Sequence, residues 1–305
     1  MRSVSLAEVV RGRLMNNVHI EVFGRFVFAA KQVKRGDCYI FLDEDINALR
    51  YAIKAGAFAV IYYNAIDELD SETAFIRAQS VDRALQGLLR YLFISAKRSV
   101  FCADRMSVAI AKSLIVDSSF VATNDLQTAI VALQGDPPPL LMCEKDGAIA
   151  NACADIHALA PVAVAALKRS ITETTALFGD RQYSFALPSL FLPQLAAVIH
   201  FALDRKLRFN PKNPIDSDRL NIHILPDNRA IIVDQASEKE QKEAIDYLFD
   251  IAAWAKIIIV SAQPIDEAIK RLYYDRYDYA YINGVDRAEL FARLELLKPR
   301  AAALF

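Results

Sequence analysis

Apolar positions along the chain form short continuous runs and stretches with helical spacing, and the two kinds alternate. Residues 37–42 and 57–63 are apolar runs typical of buried strands. Residues 46–55 between them have the spacing of a helix that ends at Gly56. Strand, helix and strand in this order predict a βαβ unit with parallel strands.

The alternation continues through the rest of the chain. Residues 219–225 and 230–234 predict a hairpin, and Ser237 with Glu240 predicts a capping box for a helix that reaches 254. The remaining runs predict strands at 99–103, 119–122, 140–143, 162–167, 256–260 and 279–282, and helices at 84–92 (capped by Ser80), 106–114, 125–133, 148–159, 190–203, 265–273 and 286–297.

These elements predict an α/β fold built from three consecutive small domains. The proline-rich segment 210–216 has the polar turn residues of a linker. We expect domains at 1–97, 98–215 and 216–305, with a mostly parallel sheet in the central one.

Glycine is scarce, and its placement excludes whole classes of site. The 305 residues contain nine glycines, about half the usual share, and no two are closer than twelve positions. Phosphate-binding loops need glycines close together, because their backbone amides turn inward with positive φ. The chain therefore contains no GxGxxG, GxxxxGK[ST] or GxSxG motif.

Net charge and cysteine content narrow the class of partner and the cellular compartment that we expect. A net charge of −1 argues against a strongly basic nucleic-acid binder, so no nucleic-acid partner is expected. The apolar stretch 158–167 is too short to span a bilayer, and the residues after Met1 do not resemble a signal peptide. Four cysteines without a CxxC pair are typical of a reducing compartment. We expect a cytoplasmic protein.

Several segments carry a resemblance to a known family. Residues 33–41 contain a V-x-x-G-D sequence before an apolar run, and 52–60 read Ala-Ile-Lys-Ala-Gly-Ala-Phe-Ala-Val. A strand at 139–144 ends in Glu144, and Leu187-Pro188 precedes Leu-Ala-Ala-Val at 195–198. In order and spacing these segments, followed by 219–234, resemble the Mur ligases, closest to those that add D-alanyl-D-alanine to UDP-MurNAc-tripeptide.

The resemblance implies a UDP-precursor domain at 1–97, a shortened ATPase-like domain at 98–215 and a Rossmann-like domain at 216–305. The segments that correspond to the family's nucleotide-binding and catalytic motifs depart from the family pattern. Residues 100–107 hold neither glycine nor lysine where the family has its G-x-x-G-K-T loop, which leaves Arg105 and Ser107 as candidate ATP contacts. The central histidine region corresponds to 177–180, without its histidine, and Asp234 alone remains of a later ATP-contacting motif.

Other candidate residues each have a structural and a functional interpretation. By the resemblance Glu144 is a magnesium ligand, and otherwise a solvated residue paired with Lys145. Lys31, the one charge left of a uridine-nucleotide motif, forms with Lys34, Arg35 and Lys54 either a pyrophosphate-binding patch or a solvated surface. Tyr273, Tyr274, Tyr277, Tyr279 and Tyr281 form either a partner-binding surface, with the last three on one strand face, or ordinary sheet packing.

Cysteine and histidine offer a weaker hypothesis. Cys153 and His157 are four apart on the predicted helix 148–159 and, with Cys143, suggest a zinc site. Small buried hydrophobic side chains explain the cysteines better. His19, His200 and His223 have no triad-like neighbours in the sequence and are interpreted as structural.

Three functions stay open. The first is a catalytically degenerate Mur-ligase-like protein without a cofactor, which binds a UDP-MurNAc-peptide or a cell-wall synthesis enzyme. The second is an active ligase with a divergent ATP and magnesium site built on Arg105, Glu144 and Asp234. The third is an α/β scaffold unrelated to that family.

Overall fold

The computed structural model describes residues 2–301 except 17, 19, 21, 43–44, 65, 67–71 and 226, and only the backbone of 296–301. Packing divides the chain into two compact units. One comprises 1–108 and 117–159, and the other comprises 109–116 and 160–305. The described residues include no helix that is both long and apolar enough to cross a bilayer.

The first unit begins with a five-stranded sheet of order β1-β5-β4-β3-β2. Strands β2 to β5 are parallel and β1 is antiparallel to β5. The predicted βαβ unit is confirmed as β3, α2 and β4. The elements are α1 (Ser3–Val9), β1 (Gly12–Leu14), β2 (Phe26–Val27), β3 (Cys38–Ile40), α2 (Ile46–Lys54), β4 (Ala59–Tyr62), β5 (Ala74–Ala78) and α3 (Val81–Ala96).

A second, all-parallel sheet of order β7-β8-β6-β9 completes this unit. The expectation of a parallel central sheet is confirmed. Its elements are β6 (Val100–Ala103), the start of α4 (Arg105–Leu114), β7 (Phe120–Ala122), α5 (Leu126–Leu133), β8 (Leu140–Glu144), α6 (Ala148–Ala152) and β9 (Ile156–Ala158). One apolar core runs from Leu6 to Cys153 beneath both sheets, because α3 packs against α5 and α6.

The second unit contains an antiparallel sheet of order β10-β11-β12 and a mixed sheet of order β13-β14-β16-β15. In the mixed sheet β13 and β14 form the predicted hairpin, and the other pairings are parallel. The elements are β10 (Ala166–Arg169), β11 (Thr174–Phe178), β12 (Arg181–Phe185), α7 (Leu192–Asp204), β13 (Asn221–Ile224), β14 (Ala230–Asp234), α8 (Glu238–Ile251), β15 (Ile257–Val260), α9 (Ile265–Tyr274), β16 (Tyr279–Asn283) and α10 (Arg287–Ala301).

Some predicted elements were wrong. The helix expected over 148–159 ends at Ala152, and 156–158 form a strand because they hydrogen-bond alongside β6. The strand expected at 162–167 lies later, at Ala166–Arg169. Ser80 is the N-cap residue of α3, but its side chain makes no capping hydrogen bond.

The domain boundaries after 97 and 215 stay predictions. The shared core of the first unit continues across the first boundary. The segment 210–216 is held in place near the second boundary, since the Asn213 side chain donates to the Ser113 carbonyl and the Asp216 amide donates to the Ser113 hydroxyl.

Candidate functional site

The carboxyl ends of β6, β7 and β8 meet at one edge of the parallel sheet, the edge at which open α/β sheets bind ligands. Strand β6 ends at Ala103, and α4 begins only two residues later. Asp104 fills that turn. Its carboxylate accepts the Ser107 amide at 2.9 Å and the Ser107 hydroxyl at 3.0 Å. A carboxylate thus caps the helix start at which a phosphate loop would place an anion.

The next helix at this edge begins in the same way. Asp125 caps α5 by accepting the Thr128 amide at 2.8 Å and the Thr128 hydroxyl at 2.6 Å. Burial acts to raise the pKa of Asp125, but its hydrogen bonds from Thr128 and from the Gln127 amide outweigh burial and lower that pKa. Two helix starts therefore hold negative charge from the chain itself.

Glu144 lies at the end of β8, beside the end of β6. Its Oε1 accepts the Asn124 side chain at 2.6 Å, and its amide donates to Asn124 Oδ1 at 2.9 Å. The partner is therefore Asn124 rather than the expected Lys145. Within the described part of the chain, no group of three His, Cys, Asp or Glu side chains is arranged to hold a metal.

The two candidate ATP contacts lie at this edge but differ in exposure. Arg105 is exposed at the first position of α4. Ser107 is fully buried, and its hydroxyl already donates to Asp104. Sequence reasoning missed Asp104 and Asn124, although an aspartate three residues before a serine at a strand-to-helix junction is a recognisable capping signal.

Asp234, in the second unit, is fully buried at the end of β14. Its carboxylate accepts Arg219 Nε at 2.7 Å, the Leu220 amide at 3.2 Å and the Tyr281 hydroxyl at 3.0 Å. Arg219 is itself buried and also donates to Glu240 at 2.6 Å. Asp234 therefore belongs to a polar cluster inside the last sheet, and its burial contradicts a role in contacting a nucleotide.

The four residues of the basic patch are all exposed. Lys31, Lys34 and Arg35 are exposed on the turn before β3. Lys54 is exposed in the last turn of α2, which joins the patch because Gly36 donates its amide to the Gly56 carbonyl. The patch lies at the amino ends of β3 and β4, opposite the edge at which parallel sheets usually bind ligands.

The V-x-x-G-D sequence beside this patch has a structural explanation. Gly36 has a φ of +93°, which favours glycine. The Asp37 carboxylate accepts the Lys34 amide at 3.0 Å, the Arg25 amide at 3.1 Å and the Arg25 guanidinium at 3.0 Å. Gly36 and Asp37 thus form and stabilise the turn that leads into β3.

The zinc hypothesis is wrong in its geometry. His157 lies in β9, where its ring stacks on Phe101 at 5.3 Å, so it does not share a helix face with Cys153. Cys102 and Cys143 lie side by side with their Sγ atoms 3.6 Å apart, and burial raises the pKa of both thiols. The rings of His200 and His223 pack on Phe178 and Phe291, and His19 lies outside the described residues.

The tyrosine cluster is divided by burial. Tyr277 and Tyr281 are buried and donate their hydroxyls to the Leu272 carbonyl and to Asp234, so the expectation that they form a partner surface is wrong. Tyr277 also precedes β16 rather than sharing its face. Tyr274 is exposed, whereas Tyr273 and Tyr279 are half-buried, and Tyr279 packs edge-on against the exposed Trp254.

Comparison with solved structures identifies proteins of similar architecture. The chain is similar to MurF from Acinetobacter baumannii, with a TM-score of 0.56 and 11% identity over 96% of this chain and 98% of that one. It is also similar to the MurF ligase from Thermotoga maritima solved in complex with ADP, with a TM-score of 0.54 and 12% identity over 90% of this chain and 98% of that one. No protein-family model and no curated protein sequence matches the chain. The chain has a Mur-ligase-like fold.

Proposed function

We propose that this chain is a catalytically degenerate Mur-ligase-like protein that acts by binding, as a scaffold or regulator in peptidoglycan precursor synthesis. The observation that carries the proposal is the carboxyl edge of the β6–β8 sheet. Asp104 and Asp125 cap the helix starts there, and Glu144 lies between them in the sheet. The Mur-ligase-like fold supports a role in peptidoglycan precursor synthesis. The capped helix starts at the carboxyl edge of the sheet support the loss of ATP-driven ligation.

A ligase of this kind activates a carboxylate as an acyl phosphate, which an amine then attacks. The transferring phosphoryl group is stabilised by cations and by preorganised amides. At this edge the Ser107 and Thr128 amides are already bonded to carboxylates. A triphosphate would have to displace Asp104 and then lie beside acidic groups, with Arg105 as the exposed cation of α4 nearest the turn.

The proposed ligand is a UDP-MurNAc-peptide or a cell-wall synthesis enzyme, in the cytoplasm. For the precursor, Lys31, Lys34 and Arg35 supply three exposed cations on one turn, which suits a pyrophosphate. We expect no cofactor. ATP with magnesium is the requirement of the alternative, a working ligase with a divergent site.

The test is a thermal-shift titration of the full chain with Mg-ATP and, separately, with UDP-MurNAc-tripeptide. A ligand at about 100 times its Kd stabilises the folded state by about 2.7 kcal/mol, which raises the melting temperature by a few degrees. We expect no shift with Mg-ATP and a shift with the precursor. The Thermotoga maritima MurF ligase, which was solved in complex with ADP, serves as the positive control for the nucleotide titration.

Two variants separate the outcomes. A triple Lys31→Ala, Lys34→Ala, Arg35→Ala variant is expected to lose the precursor shift, while Lys206→Ala, an exposed lysine elsewhere, retains it. A Mg-ATP shift that Arg105→Ala abolishes, together with ligation of D-alanyl-D-alanine, would overturn the proposal and support the divergent ligase. The absence of any precursor shift would leave the cell-wall enzyme as the proposed ligand.

A further inference from the structure

A groove of about 270 Å³ lies in the first unit, between the end of α1 and the outer face of α3. The two helices meet at Gly87, which forms the floor of the groove. Glycine permits this close approach, because a Cβ at Gly87 would lie 2.0 Å from the Val9 carbonyl oxygen. The lining residues are Val9, Arg11, Arg83, Gln86, Gly87, Arg90, Tyr91 and Ile94.

The groove concentrates positive charge in a chain whose net charge is −1. Arg11, Arg83 and Arg90 are all exposed, and the lining contains no carboxylate. Within the described residues none of the three guanidinium groups forms a salt bridge. Arg90 donates a hydrogen bond to the Asn151 carbonyl at 3.5 Å. Three neighbouring arginines that have no carboxylate partner among the described residues favour an anionic ligand.

Arg11 occupies a backbone position that favours glycine. It follows the C-cap residue of α1 with a φ of +51°, in the left-handed region. Glycine would adopt this conformation without the cost of a Cβ. An arginine there brings a guanidinium to the groove at the cost of backbone strain. Such strain is typical of functional positions.

The spacing of the charges indicates the shape of the ligand. Arg83 and Arg90 are seven residues apart on one face of α3, about 10.5 Å along the helix axis. Ile94, which is 69% exposed, and the half-buried Tyr91 continue the same groove with apolar surface. A compact anion would satisfy one end of this arrangement, whereas acidic side chains spread along a peptide match it throughout.

We propose that the groove docks an acidic, partly apolar segment of a partner protein, with carboxylates on Arg83, Arg90 and Arg11 and an apolar side chain on Tyr91 and Ile94. Arginine suits this role because its guanidinium binds carboxylates in a bidentate manner. The inference goes beyond the proposed function, since the groove would serve a working ligase equally well.

The test uses the full chain and a fluorescein-labelled helical peptide of about 14 residues, two heptads, with glutamates on one face and leucines beside them. Binding is measured by fluorescence anisotropy, and a peptide with lysine in place of every glutamate is the control. We expect saturable binding of the glutamate peptide that weakens with added salt, and no binding of the lysine peptide.

Matched variants test the site itself. Arg83→Glu with Arg90→Glu is expected to weaken binding at least tenfold. Arg181→Glu with Arg276→Glu makes the same change in charge at exposed positions elsewhere and is expected to leave binding unchanged. Arg11→Gly is expected to weaken binding about threefold without lowering the melting temperature, which separates a ligand contact from a folding effect.

Three results would overturn the inference. They are equal binding by the two double variants, equal binding of the two peptides, and displacement of the label by inorganic pyrophosphate as readily as by unlabelled glutamate peptide. The last result would indicate a compact-anion site instead. None of these measurements depends on ATP or on the UDP precursor, so failure here is distinguishable from failure of the proposed function.

Discussion

Asp37 shows how a single side chain fixes a loop that a motif search would assign to ligand binding. Its side chain is 6% exposed, and three donors from Arg25 and Lys34 surround it. Burial acts to raise the pKa of Asp37, but these hydrogen bonds and the nearby Arg25 charge outweigh it and hold the pKa below its ordinary value. The carboxylate therefore stabilises the folded state in its charged form.

A pH dependence follows from this lowered pKa. Since the folded pKa lies below the unfolded value of about 3.9, the stabilisation is present above about pH 4 and is lost as the pH falls further. We expect Asp37→Asn to lower the free energy of unfolding by about 1.5–3 kcal/mol at pH 7, and the difference from the parent to shrink towards pH 3. Urea denaturation across this pH range measures it.

Asp227→Asn is the matched control for this prediction. Asp227 also bonds to an arginine, Arg229, but its side chain is 52% exposed. Solvent screens such a pair, so the expected loss is within about 0.5 kcal/mol. Equal losses for the two variants, or a difference at Asp37 that does not change with pH, would contradict the role assigned to Asp37.

At the scale of elements, two helix starts at the sheet edge are capped by carboxylates of the chain itself. Helices α4 and α5 both follow parallel strands, and in other proteins such positions receive anions. Here Asp104 and Asp125 bond to the third residue of each helix and occupy those positions. The carboxylates that cap these helices thus occupy amides that a bound anion would otherwise use.

Asp104→Ala is therefore expected to lower the free energy of unfolding by about 0.5–2 kcal/mol, because the Ser107 amide loses its partner. Asp104→Asn keeps an acceptor oxygen and should cost only a few tenths of a kcal/mol. Asp125→Ala is the parallel case in α5. Thermal unfolding monitored by circular dichroism compares the three variants, and an Asp104→Ala protein as stable as its parent would refute the capping role.

At the scale of the molecule, one tyrosine connects two segments of the second unit that are distant in the sequence. Tyr247 of α8 is buried, and its hydroxyl donates to the Ser170 carbonyl at 2.7 Å and accepts the Ser189 amide at 3.0 Å. The Arg219 guanidinium lies over the Phe191 ring at 5.6 Å in the same region. These contacts join the antiparallel sheet and α7 to the last sheet, so the second unit should unfold as one.

Tyr247→Phe tests that coupling. The change removes the hydroxyl that bonds to both Ser170 and Ser189, while the Ser189 amide keeps its bond to the Ser170 carbonyl at 3.1 Å. We therefore expect a loss of about 0.5–1.5 kcal/mol. Hydrogen exchange should accelerate both in 170–191 and in α8, whereas Tyr183→Phe, whose hydroxyl has no such contact among the described residues, should change neither. Faster exchange in α8 alone would show that the two segments unfold independently.

The sequence by itself determined most of the helices, the βαβ unit, the hairpin at β13 and β14, the Ser237–Glu240 capping box and the absence of a glycine-built phosphate loop. Each of these depends on local periodicity or on one residue's backbone preference. The expectation of a Mur-ligase-like fold came instead from the resemblance of several segments, in their order and spacing, to that family, and it is confirmed. The role of the Lys31, Lys34 and Arg35 patch stays a prediction, because exposure and charge alone do not name a ligand.

The tertiary structure decided which polar groups meet. Asp234 bonds to Tyr281, 47 positions away, and Glu144 bonds to Asn124, 20 positions away. No periodicity encodes such pairs, because burial of one polar side chain selects whichever partner the packed chain brings within reach. For the same reason 156–158 became a strand beside β6, where hydrogen bonds to a neighbouring strand outweighed helical spacing. The arginine groove likewise exists only because α1 and α3 touch at Gly87.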